Sequence, residues 1–210
     1  MSNAILSPSS LRAASVTASV LRLPRSRPAN AVRRRRDVST LPVGAGSYNA
    51  GDVRGTDFDE IAFFRAIHDC GARALLIGRR ALVLLGLPVL TADYDFWIAI
   101  DDIATLNAAV KPFDLVPTHA PEIARGRGRY ALENDEHVDV LVARSVPTTE
   151  GVSVQFEDVW ARRRPITLGE RVDVQLPAID DLILTKRFAS RPKDLEDVRL
   201  LNILKTETEP

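Results

Sequence analysis

A chain of 210 residues that is 45% hydrophobic and 27% charged has the size and composition of one ordinary folded domain, with no apolar run long enough to span a bilayer. Its single cysteine, Cys70, excludes an internal disulfide framework and the paired thiolates of a structural zinc site, so a reducing, cytoplasmic setting is expected. The formal net charge is zero, yet residues 1–36 hold eight arginines and no acid, leaving 20 bases against 28 acids in the rest.

The basic opening ends in Arg33-Arg34-Arg35-Arg36 and lacks the apolar block of a secretory signal. It reads as disordered, and its composition fits a solvated extension, a start assigned too far upstream, a nucleic-acid-binding arm or an organelle transit peptide. Residues 41–55, containing Gly and Pro, read as a linker. The expected division is therefore a tail and linker over 1–55 and a folded domain over 56–210.

From Thr56 the pattern becomes regular. Thr56 and Asp59 suggest a helix cap, and Phe58, Ile61, Phe64 and Ile67 form an apolar stripe up to Gly71. Ala74-Leu75-Leu76-Ile77 is a short buried strand running into a turn at Gly78, followed by a helix from Arg80 to Leu85 that Gly86 and Pro88 end. Residues 93–100 read as a strand whose alternation places Tyr94, Phe96, Ile98 and Ile100 on one face and Asp93, Asp95 and Trp97 on the other. Asp101 looks like the cap of a helix through Ile103, Leu106 and Val110, with further strands at 129–132 and 137–142. Ile166 to Leu176 reads as a hairpin around Gly169-Glu170, Ile179 to Ala189 as a helix, and a last helix starts near Pro192 with Leu195, Val198, Leu201 and Leu204 as its core stripe. Strands alternating with helices predict an α/β (α+β) layer around one mixed sheet, with a C-terminal helical segment.

Asp93 and Asp95, at i and i+2 of a strand, share a face about 7 Å apart between α-carbons, near enough to grip one metal ion, although at the start of a strand they could equally be solvated edge charges. Asp139 lies in another apolar strand, His137-Val138-Asp139-Val140-Leu141. A third carboxylate brought beside the first two would need a cation, and hard oxygen ligands suit Mg²⁺ or Mn²⁺.

Leu75-Leu76-Ile77-Gly78-Arg79-Arg80-Ala81, followed after a short helix by Asp93-Tyr94-Asp95-Phe96, resembles the nucleotidyltransferase superfamily signature of a strand, Gly-Gly or Gly-Ser, and Asp-x-Asp. The small stand-alone bacterial members, including AbiEii-type toxins of abortive-infection systems, are similar in order as well: Asp139 matches a later third acid, and Lys193-Asp194-Leu195-Glu196-Asp197 matches a C-terminal Lys-Asp-x-x-Asp helix. The resemblance spans roughly Phe58 to Leu204. It implies a nucleotidyltransferase-like fold, Asp93, Asp95 and Asp139 as catalytic and metal-binding acids, and a nucleotide held near Gly78. It further implies transfer of a nucleotidyl group from an NTP to a hydroxyl on RNA or protein, with an antitoxin protein as a possible partner. The chain departs from the signature at Arg79, where the family has Gly or Ser. An arginine lacks a glycine's backbone freedom but offers phosphate a fork of donors, so a silent module binding nucleotide, RNA or protein is the alternative.

Lys186 and Lys193 would reach phosphates as point charges or simply sit on solvated helix faces. Asp194 and Asp197 would serve helix-dipole or ion-pair roles. Arg125, Arg127 and Arg129 suggest a solvated hairpin or a nucleic-acid contact. His68, His119 and His137 show no ligand spacing, although His137 shares the face of Asp139. Trp97 belongs either to a base-stacking surface or to the core.

Overall fold

The computed structural model of the chain describes residues 58–169 and 171–208, so the expected tail, linker, domain start at Thr56 and the turn residue Glu170 lie outside the described residues. The first helix, α1 (Glu60–Asp69), is capped by Asp59, whose Oδ1 accepts from the Ala62 amide at 3.0 Å. Its buried face is Phe63, Phe64 and Ile67, while Ile61, expected inside, is 38% exposed. A 3.6-residue repeat places 60, 63, 64 and 67 together and turns 61 outward.

Next come β1 (Ala74–Ile77) and α2 (Gly78–Leu84), which begins at Gly78 itself and not at Arg80, and then β2 (Tyr94–Ile98). A 3-10 turn leads into α3 (Ile103–Val110). Its N-terminus has no side-chain cap, because the neighbouring Asp102 carboxylate instead accepts from the backbone and side chain of Arg73 at 2.9 and 3.3 Å. The short β3 (Val116–Pro117) and α4 (Pro121–Arg127) precede β4 (Arg129–Glu133) and β5 (His137–Leu141). Of the three arginines read as a hairpin, Arg125 and Arg127 thus lie on a helix, which Pro121 opens and Gly128, at φ +71°, closes, and Arg129 begins β4.

The five strands form one mixed sheet in the order β1-β2-β5-β4-β3, in which β2 and β5 run parallel and the other pairs antiparallel. Beyond it come the hairpin β6 (Ser145–Pro147) and β7 (Ser153–Gln155), then α5 (Phe156–Ala161), none of which the periodicity suggested. The expected hairpin follows as β8 (Arg164–Leu168) and β9 (Val172–Leu176). Two helices, α6 (Ile179–Lys186) and α7 (Pro192–Thr208), complete the chain. This is a mixed α/β fold with helices flanking the sheet and a C-terminal helical segment. No helix among the described residues is long and apolar enough to cross a membrane.

Alternation divides the sheet's side chains between two cores. Leu76, Tyr94, Phe96, Ile98, Val138 and Val140 join α1, α3 and β9 in the larger one. Leu75, Trp97 and Ala99 face the other way, against Val154, Phe156 and Val159, with Leu184 of α6 and Phe188 packed beside them. Trp97 is fully buried, and its Nε1 donates to the Ala143 carbonyl at 2.8 Å, which makes it core and removes it as a base-stacking candidate.

Candidate functional site

The smaller core ends where apolar residues give way to acids on the same face. Register aligns Ile77 of β1 with Asp95 of β2, and Asp95 with Asp139 of β5, so the three residues form one row across the sheet. In-register neighbours on parallel strands project from the same side about 4.8 Å apart along the hydrogen-bonding direction. Adjacency of the two carboxylates is therefore a consequence of strand pairing. Asp93, two residues before Asp95 and exposed, extends the row toward solvent, its amide donating to Thr91 Oγ1 at 3.2 Å.

Gly78 occupies the turn immediately after β1, at φ +68°. A Cβ built there would overlap the Asp95 carboxylate, so the glycine serves two needs at once: a left-handed backbone and close approach of an acid. The turn at Gly78 therefore lies directly against Asp95. A cleft of ≈ 270 Å³ is lined at the sheet end by Gly78, Thr91, Asp93, Asp95 and Asp139, and around α6 and α7 by Lys186, Arg191, Lys193 and Asp194, with the Arg79 guanidinium drawn to α7 through Asp197. All seven site residues expected from the sequence (Gly78, Arg79, Asp93, Asp95, Asp139, Lys186 and Lys193) thus line a single cleft.

The acids are electrostatically uncomfortable. Burial and then the Asp139 charge push the Asp95 carboxyl above its ordinary range; Asp93 adds to this, while Lys186 and Lys193 pull it back. Asp139 is 61% exposed and lies 3.4 Å from His137 Nε2, with Glu133 on the imidazole's other side at 3.6 Å. Among the described residues, no group of three or more His, Cys, Asp or Glu side chains is arranged so that it could hold a metal ion. Three like charges spread apart unless a cation draws them together.

The opposite wall is neutralised from behind. Asp197 of α7 is fully buried, accepting from Arg79 Nε at 3.1 and 3.2 Å and from Lys186 Nζ at 2.9 Å. Asp194, one turn earlier and 2% exposed, accepts from the Arg191 amide at 2.9 Å and its Nε at 2.8 Å. Burial alone would raise the Asp194 carboxyl, but these bonds to Arg191 outweigh it and hold it below the usual carboxylate range. Lys186 is only 6% exposed, which corrects the expectation of a solvated helix face. The core stripe expected on α7 is also corrected: Leu195 is 61% exposed, and the buried residues are Asp194, Asp197 and Leu201. The ion-pair role expected as one reading of Asp194 and Asp197 is what the structure shows, whereas Arg191 and the burial of both acids were not anticipated. The signal available was the i, i+3 spacing of the two acids, which puts both on one helical face.

Arg125 and Arg127 sit apart from the cleft on α4, where Arg127 Nη1 lies 2.8 Å from His119 Nε2. His68 Nδ1 instead contacts the Asp173 carbonyl at 3.2 Å. It borders a second cleft, ≈ 210 Å³, whose floor is the apolar Phe64, Ile67 and Phe96 and which has a single carboxylate, Asp173.

No family model matches the chain, and no curated protein matches it in sequence. Solved structures do resemble it in fold. One is the Thermotoga maritima protein TM1012, described as a candidate nucleotidyltransferase, at TM-score 0.46 and 12% identity over 65% of this chain and 86% of that one. The antibiotic-resistance factor ANT(2'')-Ia resembles it in solution at TM-score 0.47 and 14% identity, over 70% of this chain and 86% of that one. In its complex with adenylyl-2''-tobramycin the values are 0.46 and 15%, over 70% and 92%.

Proposed function

We propose that the cleft binds an NTP with Mg²⁺ or Mn²⁺ and transfers its nucleotidyl group to a hydroxyl on RNA or protein. The observation that carries this is the opposition of two walls across one cleft: Asp93, Asp95 and Asp139 on one side, Arg79, Lys186, Arg191 and Lys193 on the other. Only a ligand that is both cationic and anionic suits both walls, and a divalent ion on a polyphosphate is such a ligand.

The donor set fits a hard cation: carboxylates alone, with the Asp95 carboxyl raised by burial and then by its like-charged neighbours, and Gly78 leaving room for nothing larger than hydrogen beside it. Bound there, the ion would neutralise charge developing on the phosphate. Asp95 and Asp139, fixed by paired strands, would orient that end of the ligand. Lys186, Arg79, Arg191 and Lys193 would receive the β- and γ-phosphates, where charge builds as pyrophosphate leaves. In the step itself the acceptor oxygen forms a bond to the α-phosphorus, the α-phosphorus bond to the bridging oxygen breaks, and the hydroxyl proton passes to a carboxylate of the acidic wall.

Within this reading the folded unit is expected to begin near residue 56, and the protein would work in the cytoplasm. A toxin role with an antitoxin partner extends it, drawn from the motif order ending in Lys193-Asp194-Leu195-Glu196-Asp197. The test is incubation of the purified protein with each α-labelled NTP, Mg²⁺ and total RNA or protein, beside Asp93→Ala/Asp95→Ala. Label transferred by the parent and not by the variant supports the proposal. Arg79, standing where the signature has Gly or Ser, favours a second reading, a silent module binding nucleotide, RNA or a protein partner, and binding of NTP by the parent without any transfer would select it.

A further inference from the structure

Asp197 lies behind the cleft and does not line it. It has no exposed surface, its two oxygens accept from Arg79 Nε, and Arg79 Nη2 lies 3.1 Å from Oδ1. The same carboxylate takes Lys186 Nζ. One negative charge thus holds two positive ones, and the surplus faces the cleft. Asp197 engages two of the three guanidinium nitrogens of Arg79, leaving Nη1 for an incoming oxygen.

Arg79 has another choice of partner. It follows Gly78, against which the Asp95 carboxylate packs, and a guanidinium free to turn would pair with the acids and take the place of a metal ion. The fork on Asp197 settles that competition in this structure, where the guanidinium is held at two points by a carboxylate with no exposed surface.

We propose that Asp197 is a positioning residue, which holds Arg79 away from the acidic wall and presents it, with Lys186, to the phosphates of the nucleotide. This rests on the nucleotide-binding reading above. It makes the arginine after Gly78 compatible with a working site, since the side chain that would crowd the cleft is drawn into its far wall.

The experiment measures two ligands separately, inorganic tripolyphosphate by calorimetry and Mn²⁺ by electron paramagnetic resonance, on the full chain. Asp197→Asn, which keeps the shape, should weaken tripolyphosphate at least about tenfold through loss of charged hydrogen bonds, and should weaken Mn²⁺ as Arg79 turns to the acids. Adding Arg79→Ser to that variant should restore Mn²⁺ affinity to the parent's while tripolyphosphate stays weak, a rescue that loss of a merely structural aspartate would not allow. If Asp197→Asn does not fold, Arg79→Lys carries the test: it keeps the charge without the fork, and tripolyphosphate should still bind severalfold more weakly. Undiminished tripolyphosphate binding by Asp197→Asn, or by Arg79→Lys where that variant stands in, overturns the inference and leaves the nucleotide reading in place, as does failure of Arg79→Ser to restore Mn²⁺. A parent that binds neither ligand overturns both.

Discussion

The two walls of the cleft use the same residue in opposite ways. Asp194 and Asp197 on α7 are buried and satisfied, each gripping one or two cations, whereas Asp93, Asp95 and Asp139 at the sheet ends make no ion pair with a lysine or arginine among the described residues. Paired acids of the first kind are part of the fold, and removal of Asp197 strands the buried Lys186 charge. Acids of the second kind, without a lysine or arginine partner and with Asp139 meeting only His137 among the described residues, lie where strongly perturbed groups mark candidate functional sites. The contrast separates aspartates held by cations of the chain from those that are not, in a cleft where residue type alone does not.

The largest effect expected from that contrast is on Asp197. Asp197→Ala leaves Lys186 buried without its partner and should cost about 3–5 kcal/mol, while Asp139→Ala, at an exposed site, should fall within about 0.5 kcal/mol. Urea unfolding of both variants measures the difference, and equal losses would erase the distinction between the walls. Gly78→Ala comes next, since the methyl group forces a left-handed residue and displaces the Asp95 carboxylate. It should cost about 1–3 kcal/mol and abolish nucleotide transfer, both read on the same preparation.

Smaller and opposite in sign is Asp95→Asn. Because the folded-state carboxyl of Asp95 titrates above its ordinary value of 3.8, the stability tied to its protonated form is full below that value and lost as pH rises through the folded one. At neutral pH without metal the variant should therefore melt at or slightly above the parent, and the advantage should vanish in the acid range. Asp194 runs the other way. Its carboxyl is held low by Arg191, so its contribution is present above the ordinary value and lost as pH falls through the lower one. With Arg191 59% exposed and screened, Asp194→Asn should cost about 1 kcal/mol or less at neutral pH, and melts across pH 2–7 on the two variants sharpen the comparison.

Much of the acidic wall was legible in the sequence, because it depends on local rules. Alternation assigns Asp93 and Asp95 to one face, and a glycine after an apolar strand marks a turn. The order of strands was not legible: the register that sets Asp95 beside Asp139 joins residues 44 apart in sequence. The cationic wall was harder still. Leu195, Val198, Leu201 and Leu204 look like a stripe, but at 3.6 residues per turn their ends lie roughly 180° apart on the helix, so they cannot share a face. Reading the charged positions with the same period would have grouped Asp194, Asp197, Val198 and Leu201. The acids were read as helix-dipole or ion-pair residues, and their burial depends on partners the pattern does not show: Lys186 and Arg79 from other elements on Asp197, and Arg191 on Asp194. The β6–β7 hairpin and α5 went unread because their segments are too short to establish a period.

The claim on which the rest depends is that the acidic wall is completed by a divalent cation. It is tested most directly by melting the metal-free parent and Asp95→Asn with increasing Mn²⁺. At about a hundredfold excess over Kd, mass action adds about 2.7 kcal/mol, a rise of roughly 5–10 °C for a domain of this size. The expected result is that rise in the parent and little of it in the variant. A parent whose midpoint does not move, or a variant that gains as much as the parent, would contradict the claim.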